Sequence, residues 1–198
     1  METFGAETAQ DPIGLFAAWL EQAEATEVND PNAVALATAT ADGAPSVRMV
    51  LLKRLDERGF SFYTNEESRK GAELAKNPRA AMCFHWKSLR RQVRVEGTVT
   101  ELPAEEADAY FHSRTRGSQL GAVASRQSRP LGSREALKLR VKEAETAFPA
   151  EIPRPAYWKG YLLRPERIEF WVQGIARLHD RFLFVRNETT WAKERLFP

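Results

Sequence analysis

Cysteine is almost missing from this chain. Cys83 is the single thiol in 198 residues, so an intramolecular disulfide and a cysteine-based metal site are both excluded. We expect no metal site. A lone thiol without a disulfide framework is typical of a reducing compartment, and we predict a cytoplasmic protein.

Long apolar runs are missing as well. No stretch approaches the roughly 20 residues that a membrane-spanning helix needs. The first ten residues, METFGAETAQ, also lack the basic and apolar regions of a signal peptide. We therefore expect a soluble, unexported protein with no membrane partner.

The chain also lacks a large excess of either charge. Lysine and arginine number 29 against 27 aspartates and glutamates, which gives a net charge of +2. This balance argues against a polycation that binds nucleic acid, and we expect no nucleic-acid partner. Any recognition of anions must come from local clusters of basic residues.

The chain is long enough for one globular domain. Hydrophobic side chains make up 43% of it and charged side chains 28%, which is sufficient for a real core. We predict a short N-terminal tail over residues 1–10 and a single domain over residues 11–198. Asp11 and Pro12 begin its first helix, which carries one apolar face.

Most of the remaining pattern is typical of short strands joined by turns. Strands are predicted at residues 33–40, 47–52, 60–64, 79–86, 91–102, 157–163, 167–172, 181–186 and 191–196. Helices are predicted near residues 65–76, 103–112, 118–124 and 133–148. Closure of so many short strands into a barrel removes exposed edges. The sequence therefore predicts a mainly β fold of the α+β class, an antiparallel barrel with flanking helices.

The stretch from Ser46 to Lys70 concentrates cations around a predicted hairpin and a helix start. The hairpin joins residues 47–52 to residues 60–64 through a turn that ends in glycine. Arg69 and Lys70 fall in the first helical turn, where cations oppose the helix dipole unless an anion is bound there. Phosphate is the candidate anion. The alternative is a pair of solvated surface charges balanced by nearby glutamates.

A second basic segment runs from Phe111 to Arg134. It combines five arginines with serine hydroxyls, the side chains that proteins use to recognise phosphate. A disordered, arginine-rich connector is the alternative interpretation. Ser118 followed by QLGAVA predicts a short capped helix, however, which favours an ordered segment.

Several separated blocks resemble the pyridoxine (pyridoxamine) 5′-phosphate oxidase family. They are RMVLLK at 48–53, FYTN at 62–65, SRK at 68–70, RQVRVEG at 91–97, YFHSRTRGSQLGA at 110–122, IEFW at 168–171 and RLHDR at 177–181. Each block alone is weak evidence. Their common order and spacing over residues 11–198 carry the resemblance.

The resemblance implies an FMN-binding split β-barrel that works as a homodimer, with two flavin sites at the subunit interface. It assigns FMN binding in one subunit to Arg48, Met49, Val50, Leu51, Leu52, Lys53, Tyr63, Thr64, Arg69, Lys70, Gln127 and Ser128. It also implies that the other subunit supplies three contacts to the same flavin, from Gln92, Trp171 and Arg181.

The same resemblance implies a substrate site and a reaction. The substrate phosphate is assigned to Lys53, Tyr110, Arg114 and Ser118, and the catalytic groups that orient the pyridine ring are Arg177 and His179. The implied reaction oxidises pyridoxine or pyridoxamine 5′-phosphate to pyridoxal 5′-phosphate by hydride transfer from C4′ to flavin N5. O₂ is reduced to H₂O₂, and the amine also yields ammonia. Trp171 and His179 have alternative interpretations, as a core side chain and as a structural histidine.

The sequence departs from the family pattern in three places. The segment before Asp11 has no arginine or tyrosine, whereas family members commonly have a basic, tyrosine-containing arm over the substrate. Thr115 stands where proline is usual, which is expected to loosen that loop. Val172 stands where glycine or a polar residue is usual, so the flavin contact there is less well defined.

Other functions are compatible with the same residues. One is a different flavin oxidoreductase on the same barrel, which the phosphate-binding side chains disfavour. Another is a non-catalytic protein that binds flavin or pyridoxal phosphate. A nucleic-acid binder that uses residues 114–134 would bind with strong salt dependence, but few aromatic side chains are available there for base stacking.

Overall fold

The computed structural model describes residues 4–198, so residues 1–3 of the predicted tail lie outside it. In the described range, nine strands form one antiparallel sheet with five α-helices around it. The strands are β1 Ala33–Ala39, β2 Pro45–Leu51, β3 Arg54–Asp56, β4 Gly59–Asn65, β5 Arg79–Trp86, β6 Arg91–Glu101, β7 Trp158–Val172, β8 Asp180–Asn187 and β9 Thr190–Leu196. The helices are α1 Pro12–Thr26, α2 Arg69–Lys76, α3 Ala104–Ser113, α4 Arg116–Ala124 and α5 Arg134–Ala147.

The sheet closes on itself through the segment that joins β2 to β3. Neighbouring strands follow the order β2-β1-β5-β6-β7-β4-β3, and only Leu52 and Lys53 separate the two outermost strands along the chain. The amide of Leu52 donates to the carbonyl of Asn32 and that of Lys53 donates to the carbonyl of Ser61, both at 2.9 Å. The predicted antiparallel barrel with flanking helices is therefore confirmed.

Helix α1 packs against the hydrophobic core of the barrel. The carboxylate of Asp11 accepts hydrogen bonds from the amides at the helix start, as the sequence predicts. Phe16 meets the ring of Phe60 edge-on at 4.9 Å, and Trp19 meets the ring of Phe170 at 5.0 Å. Each such buried aromatic side chain contributes about 1.5–3 kcal/mol of transfer free energy. This helix is therefore packing and not part of a site.

The predicted hairpin between residues 47–52 and 60–64 is wrong in its pairing. Strand β4 pairs with the three-residue β3, whereas β2 pairs along its whole length with β1. The Asp42-Gly43 turn fixes the β1–β2 register, which directs Arg48 and Val50 to the inner face. After Leu51 the chain turns away from β1 and forms β3, which pairs with β4 and so closes the barrel.

The strands predicted separately at residues 157–163 and 167–172 are a single strand, β7. Its register with β6 shifts at Gly97, opposite Pro165, which marks a β-bulge. A Cβ atom at Gly97 would lie 1.9 Å from the carbonyl oxygen of Arg164, so only glycine allows this approach. Because the bulge accommodates Pro165, β7 continues without a break from Trp158 to Val172.

The N-terminal residues that the structure describes pack against the barrel. Ala6 is fully buried, and the carbonyl of Phe4 accepts a hydrogen bond from the indole of Trp19 at 2.9 Å. Lys193 of β9 donates to the carbonyls of Glu7 and Ala9. The boundary at residue 11 stays a prediction. Within residues 4–198 no helix is long and apolar enough to cross a membrane.

Candidate functional site

A cleft of about 780 Å³ opens between the β2–β4 side of the barrel and helices α3 and α4. The structure brings together in its wall many of the side chains that the sequence assigns to flavin or substrate. They are Met49, Val50, Leu51, Lys53, Tyr63, Thr64, Lys70, Tyr110, Arg114, Ser118 and Gln127. Of the other assigned residues, Ser128 follows Gln127 in the left-handed conformation. Leu52 is buried in the core.

Lys70 is the buried cation of the cleft. Its Nζ donates to the hydroxyl of Thr64 at 3.0 Å and to the amide oxygen of Gln127 at 2.9 Å, and both acceptors are neutral. Burial, and then the positive charge of Arg48, lower the pKa of Lys70 to about 8, while Glu73 opposes them. A desolvated ammonium held by neutral groups is suited to binding an anion.

Helix α2 presents these cations as the sequence predicts. The Ser68 hydroxyl caps the helix by accepting from the amide of Gly71. Arg69 is an exposed ion-pair partner of Glu73, so the interpretation as a solvated surface charge describes part of its environment. For Lys70 that interpretation is wrong, because its side chain is buried.

Arg114 is a further cation of the cleft wall, which Lys53 also lines. Its guanidinium lies 5.0 Å from the ring of Trp158 and 5.8 Å from that of Phe111. Its Nη1 is buried without a hydrogen-bond partner among residues 4–198. Burial lowers the pKa of Arg114, and Tyr110 opposes the shift. An unpartnered guanidinium in a cleft indicates that an anionic ligand completes it.

Stacked aromatic rings form a flat wall beside Arg114. The rings of Tyr63 and Tyr110 are 4.1 Å apart, and those of Tyr63 and Trp158 are 5.3 Å apart and nearly parallel. Trp158 is not among the site residues that the sequence predicts. The aromatic doublet Tyr157-Trp158 before a strand was the available signal, but many core strands begin in the same way.

The loop before α4 is ordered, and its cap differs from the prediction. The helix begins at Arg116, and its cap is Thr115, whose hydroxyl accepts from the amide of Ser118. The prediction that Ser118 caps the helix is therefore wrong, whereas the expectation that Thr115 loosens the loop stays a prediction. Ser118 instead lies in the first turn and lines the cleft.

A second cluster lies on the outer face of three neighbouring strands. Gln92 of β6 is directly opposite Trp171 of β7, which is directly opposite Arg181 of β8. The ring of His179 lies 4.5 Å from that of Trp171. Trp171 is partly exposed on this outer face, so its interpretation as a core residue is wrong.

The turn from Gly174 to His179 shapes this cluster. A 3-10 turn forms at Ile175–Arg177, just before β8, and Arg177 is left-handed, with φ of 64°. A Cβ atom at Gly174 would lie 1.8 Å from the carbonyl oxygen of Leu178, so the turn requires glycine. The amide of Gly174 donates to Nδ1 of His179 at 3.2 Å. Because Nδ1 acts as an acceptor here, Nε2 is the nitrogen left to present a proton as a donor.

The two clusters do not share one pocket within a subunit. Trp158 lines the cleft, whereas Trp171 belongs to the second cluster and lies 13 residues further along β7. None of Gln92, Arg177 and Arg181 lines the cleft. One subunit therefore does not bring all the assigned residues to a single small ligand.

Comparisons with known proteins give concordant matches. Residues 20–148 match the family model "Pyridoxamine 5′-phosphate oxidase", and residues 158–198 match "Pyridoxine 5′-phosphate oxidase C-terminal dimerisation region". A pyridoxine/pyridoxamine 5′-phosphate oxidase from Gluconobacter oxydans is 58% identical over 189 residues, which cover 95% of this chain and 94% of that protein. One from Sinorhizobium fredii is 60% identical over 194 residues, which cover 96% and 94%.

Solved structures agree with these matches. PhzG from Burkholderia lata, in complex with tetrahydrophenazine-1-carboxylic acid, is 34% identical with a TM-score of 0.93, covering 100% of this chain and 98% of that chain. A pyridoxamine 5′-phosphate oxidase-related, FMN-binding protein from Nostoc punctiforme has the same fold, with a TM-score of 0.78 at 19% identity over 96% and 100% of the two chains. The predicted resemblance is confirmed, and the chain belongs to the pyridoxamine 5′-phosphate oxidase family.

Proposed function

We propose that this protein is an FMN-dependent oxidase that converts pyridoxine 5′-phosphate or pyridoxamine 5′-phosphate to pyridoxal 5′-phosphate. O₂ is reduced to H₂O₂, and the amine substrate also yields ammonia. The observation that carries the proposal is Arg114, whose buried Nη1 has no partner within residues 4–198 and borders a flat aromatic wall. A phosphate on a planar aromatic ring fits both features.

FMN follows from the family, and the donors around Lys70 fit it. Lys70, Arg69 and the Gln127-Ser128 turn offer cations and polar groups for its phosphate. When bound, FMN supplies the hydride acceptor that O₂ afterwards reoxidises. The protein's own contribution is binding and orientation.

The substrate site uses the opposite part of the cleft. Lys53, Arg114 and Ser118 line the cleft together, and we assign them to the substrate phosphate with the hydroxyl of the half-buried Tyr110. Fixing the phosphate and stacking the ring hold the reacting carbon in place, which lowers the entropic part of the barrier. Arg177 and the Nε2 proton of His179 then orient the ring from the second cluster.

The second cluster reaches the cleft from the partner subunit of a homodimer. Its residues Trp171, Arg177, His179 and Arg181 all fall in the segment that matches the dimerisation region. Large apolar side chains are exposed near both clusters, including Met49 at 64% and Ile175 at 91%. An interface that covers them would complete each site. The cytoplasmic location stays a prediction, as does the absence of nucleic-acid partners.

A visible spectrum of the purified protein tests this function. We expect a yellow protein that releases FMN, not FAD, on denaturation. Anaerobic pyridoxine 5′-phosphate should bleach it, and air should restore the colour with one H₂O₂ per product. A flavin that does not bleach would indicate a carrier or sensor. Equal bleaching by substrates without a phosphate would indicate a different oxidoreductase.

FMN affinity should fall as the pH rises above about 8, the pKa of Lys70. Above that pH the free protein holds a neutral Lys70, which must regain a proton to bind phosphate, so affinity should drop by up to about tenfold per pH unit. The FMN phosphate stays dianionic in this window because its second pKa is about 6. Fluorescence titration of apoprotein from pH 7 to 10 measures the effect. Lys70→Met should bind weakly at every pH and lose the slope, whereas a slope that survives in Lys70→Met would remove Lys70 from the phosphate site.

A further inference from the structure

A buried carboxylate lies among the cations at the start of α2. We propose that Glu73 is a positioning residue for FMN, which fixes the guanidinium of Arg69 so that its two terminal nitrogens face the flavin phosphate. The inference rests on the proposed FMN site and adds to it a residue that does not itself touch the ligand.

Glu73 is 4% exposed and is surrounded by donors. Its Oε2 accepts from the hydroxyls of Thr38 at 2.5 Å and Ser46 at 2.6 Å, and its Oε1 accepts from Nε of Arg69 at 2.9 Å. Burial raises the pKa of Glu73, but these three hydrogen bonds and the charge of Arg48 outweigh it and lower the pKa to about 2. The carboxylate is therefore ionised at every pH of interest.

The same network holds Arg48 inside the barrel. Its Nη1 donates to the Thr38 hydroxyl at 2.6 Å and its Nη2 to the Ser46 hydroxyl at 2.5 Å. Each hydroxyl thus accepts from Arg48 and donates to Glu73. Because its terminal nitrogens are engaged by protein, Arg48 serves this site through its charge and by anchoring Glu73.

Arg69 is held through Nε, whereas Arg48 is held through its terminal nitrogens. Its side chain is 63% exposed, and its contact with Glu73 is made through Nε. The planar guanidinium is therefore fixed at its inner edge, while Nη1 and Nη2 remain for a ligand. This is the geometry that binds a phosphate with two parallel hydrogen bonds.

The charges of the network also match the ligand. Arg48, Arg69 and Lys70 are cations, and Glu73 is an anion that pairs with two of them. The net charge of +2 matches a phosphate monoester, which carries about −1.5 to −2 at neutral pH. Without Glu73 three cations would repel one another around the site, and Arg69 would lose its anchor.

Glu73→Gln tests the proposal in the full-length apoprotein. The substitution replaces one carboxylate oxygen of residue 73 with an NH₂ group, which cannot accept a hydrogen bond from Arg69, Thr38 or Ser46. Arg69 should therefore lose its fixed orientation. We expect the dissociation constant for FMN to rise roughly 10- to 150-fold, the value of a charge-assisted hydrogen bond. The constant for riboflavin, which has no phosphate, should not change. Glu67→Gln is the matched control, because it removes an exposed carboxylate near the same helix start and should change FMN binding by less than about fivefold.

The outcomes separate the alternatives. Equal weakening of FMN and riboflavin would show that Glu73 only supports the fold, and tighter FMN binding would show that charge outweighs positioning; either result overturns the proposal. If Glu73→Gln does not fold, Glu73→Asp keeps the buried charge but withdraws it by one methylene, and it should show the same selective loss. In an Arg69→Lys background, Glu73→Gln should add little. A wild-type protein that binds neither flavin would instead refute the proposed function.

Discussion

A subunit that carries Arg69→Ala and Lys70→Ala should regain activity when it is paired with a subunit that carries Arg181→Ala. The two defects lie in different clusters of one chain, because Lys70 lines the cleft and Arg181 belongs to the second cluster on β8. In a mixed dimer, one site combines the intact cleft of one subunit with the intact second cluster of the other. The remaining site collects both defects.

Differently tagged subunits allow the mixed dimer to be purified and assayed. Each variant homodimer should be nearly inactive, because both of its sites lack cations that bind the flavin. The mixed dimer should recover about half of the wild-type activity per dimer. Lys70→Ala paired with Arg114→Ala is the control, since both changes affect the cleft of their own subunit and leave each site with one defect. No recovery in the first pair after verified exchange would mean that each site belongs to one subunit.

Arg114→Ala should weaken the use of pyridoxine 5′-phosphate by roughly 10- to 150-fold, the loss of a charge-assisted hydrogen bond. We expect poor use of unphosphorylated pyridoxine, and this should hardly change, because no phosphate then meets Arg114. Arg177→Ala should slow both substrates alike, since a misplaced reacting carbon raises the barrier whichever tail is present. The measurements are kcat/KM for each substrate and the FMN content, which should stay normal in both variants.

Arg116→Ala is the matched control for Arg114. Its guanidinium donates to the backbone carbonyls of Phe148 and Ala150, so the change removes a nearby arginine that does not line the cleft. The ratio of the two substrates should stay as in the wild type. If Arg114→Ala harms both substrates equally, or Arg177→Ala harms only the phosphorylated one, the two roles are wrongly assigned.

Local signals account for what the sequence predicts correctly. The helix start at Asp11 and Pro12, the placement of Arg69 and Lys70 in a first helical turn and the strand at residues 91–102 each depend on neighbours in the chain, and the structure confirms all three. The family blocks add the fold class and the FMN cofactor, which the comparisons support. The residue roles stay predictions that the variants above test.

The missed features depend on contacts between distant segments. Whether β2 pairs with β1 or β4 is decided by barrel closure, and whether Pro165 ends a strand is decided by Gly97 on the neighbouring strand. Glu73 is one of three glutamates near Arg69 in sequence, and nothing local distinguishes it. Thr38 and Ser46, which make it an acceptor for buried donors, come from strands β1 and β2.

The separation of the two clusters within each subunit has a thermodynamic consequence. If each flavin touches the cleft of one subunit and the second cluster of the other, cofactor binding and subunit association are linked equilibria. FMN must then tighten the dimer by the same factor by which dimerisation tightens FMN. Diluted apoprotein should therefore dissociate at concentrations where the flavin-loaded protein does not. FMN would then also stabilise the dimer.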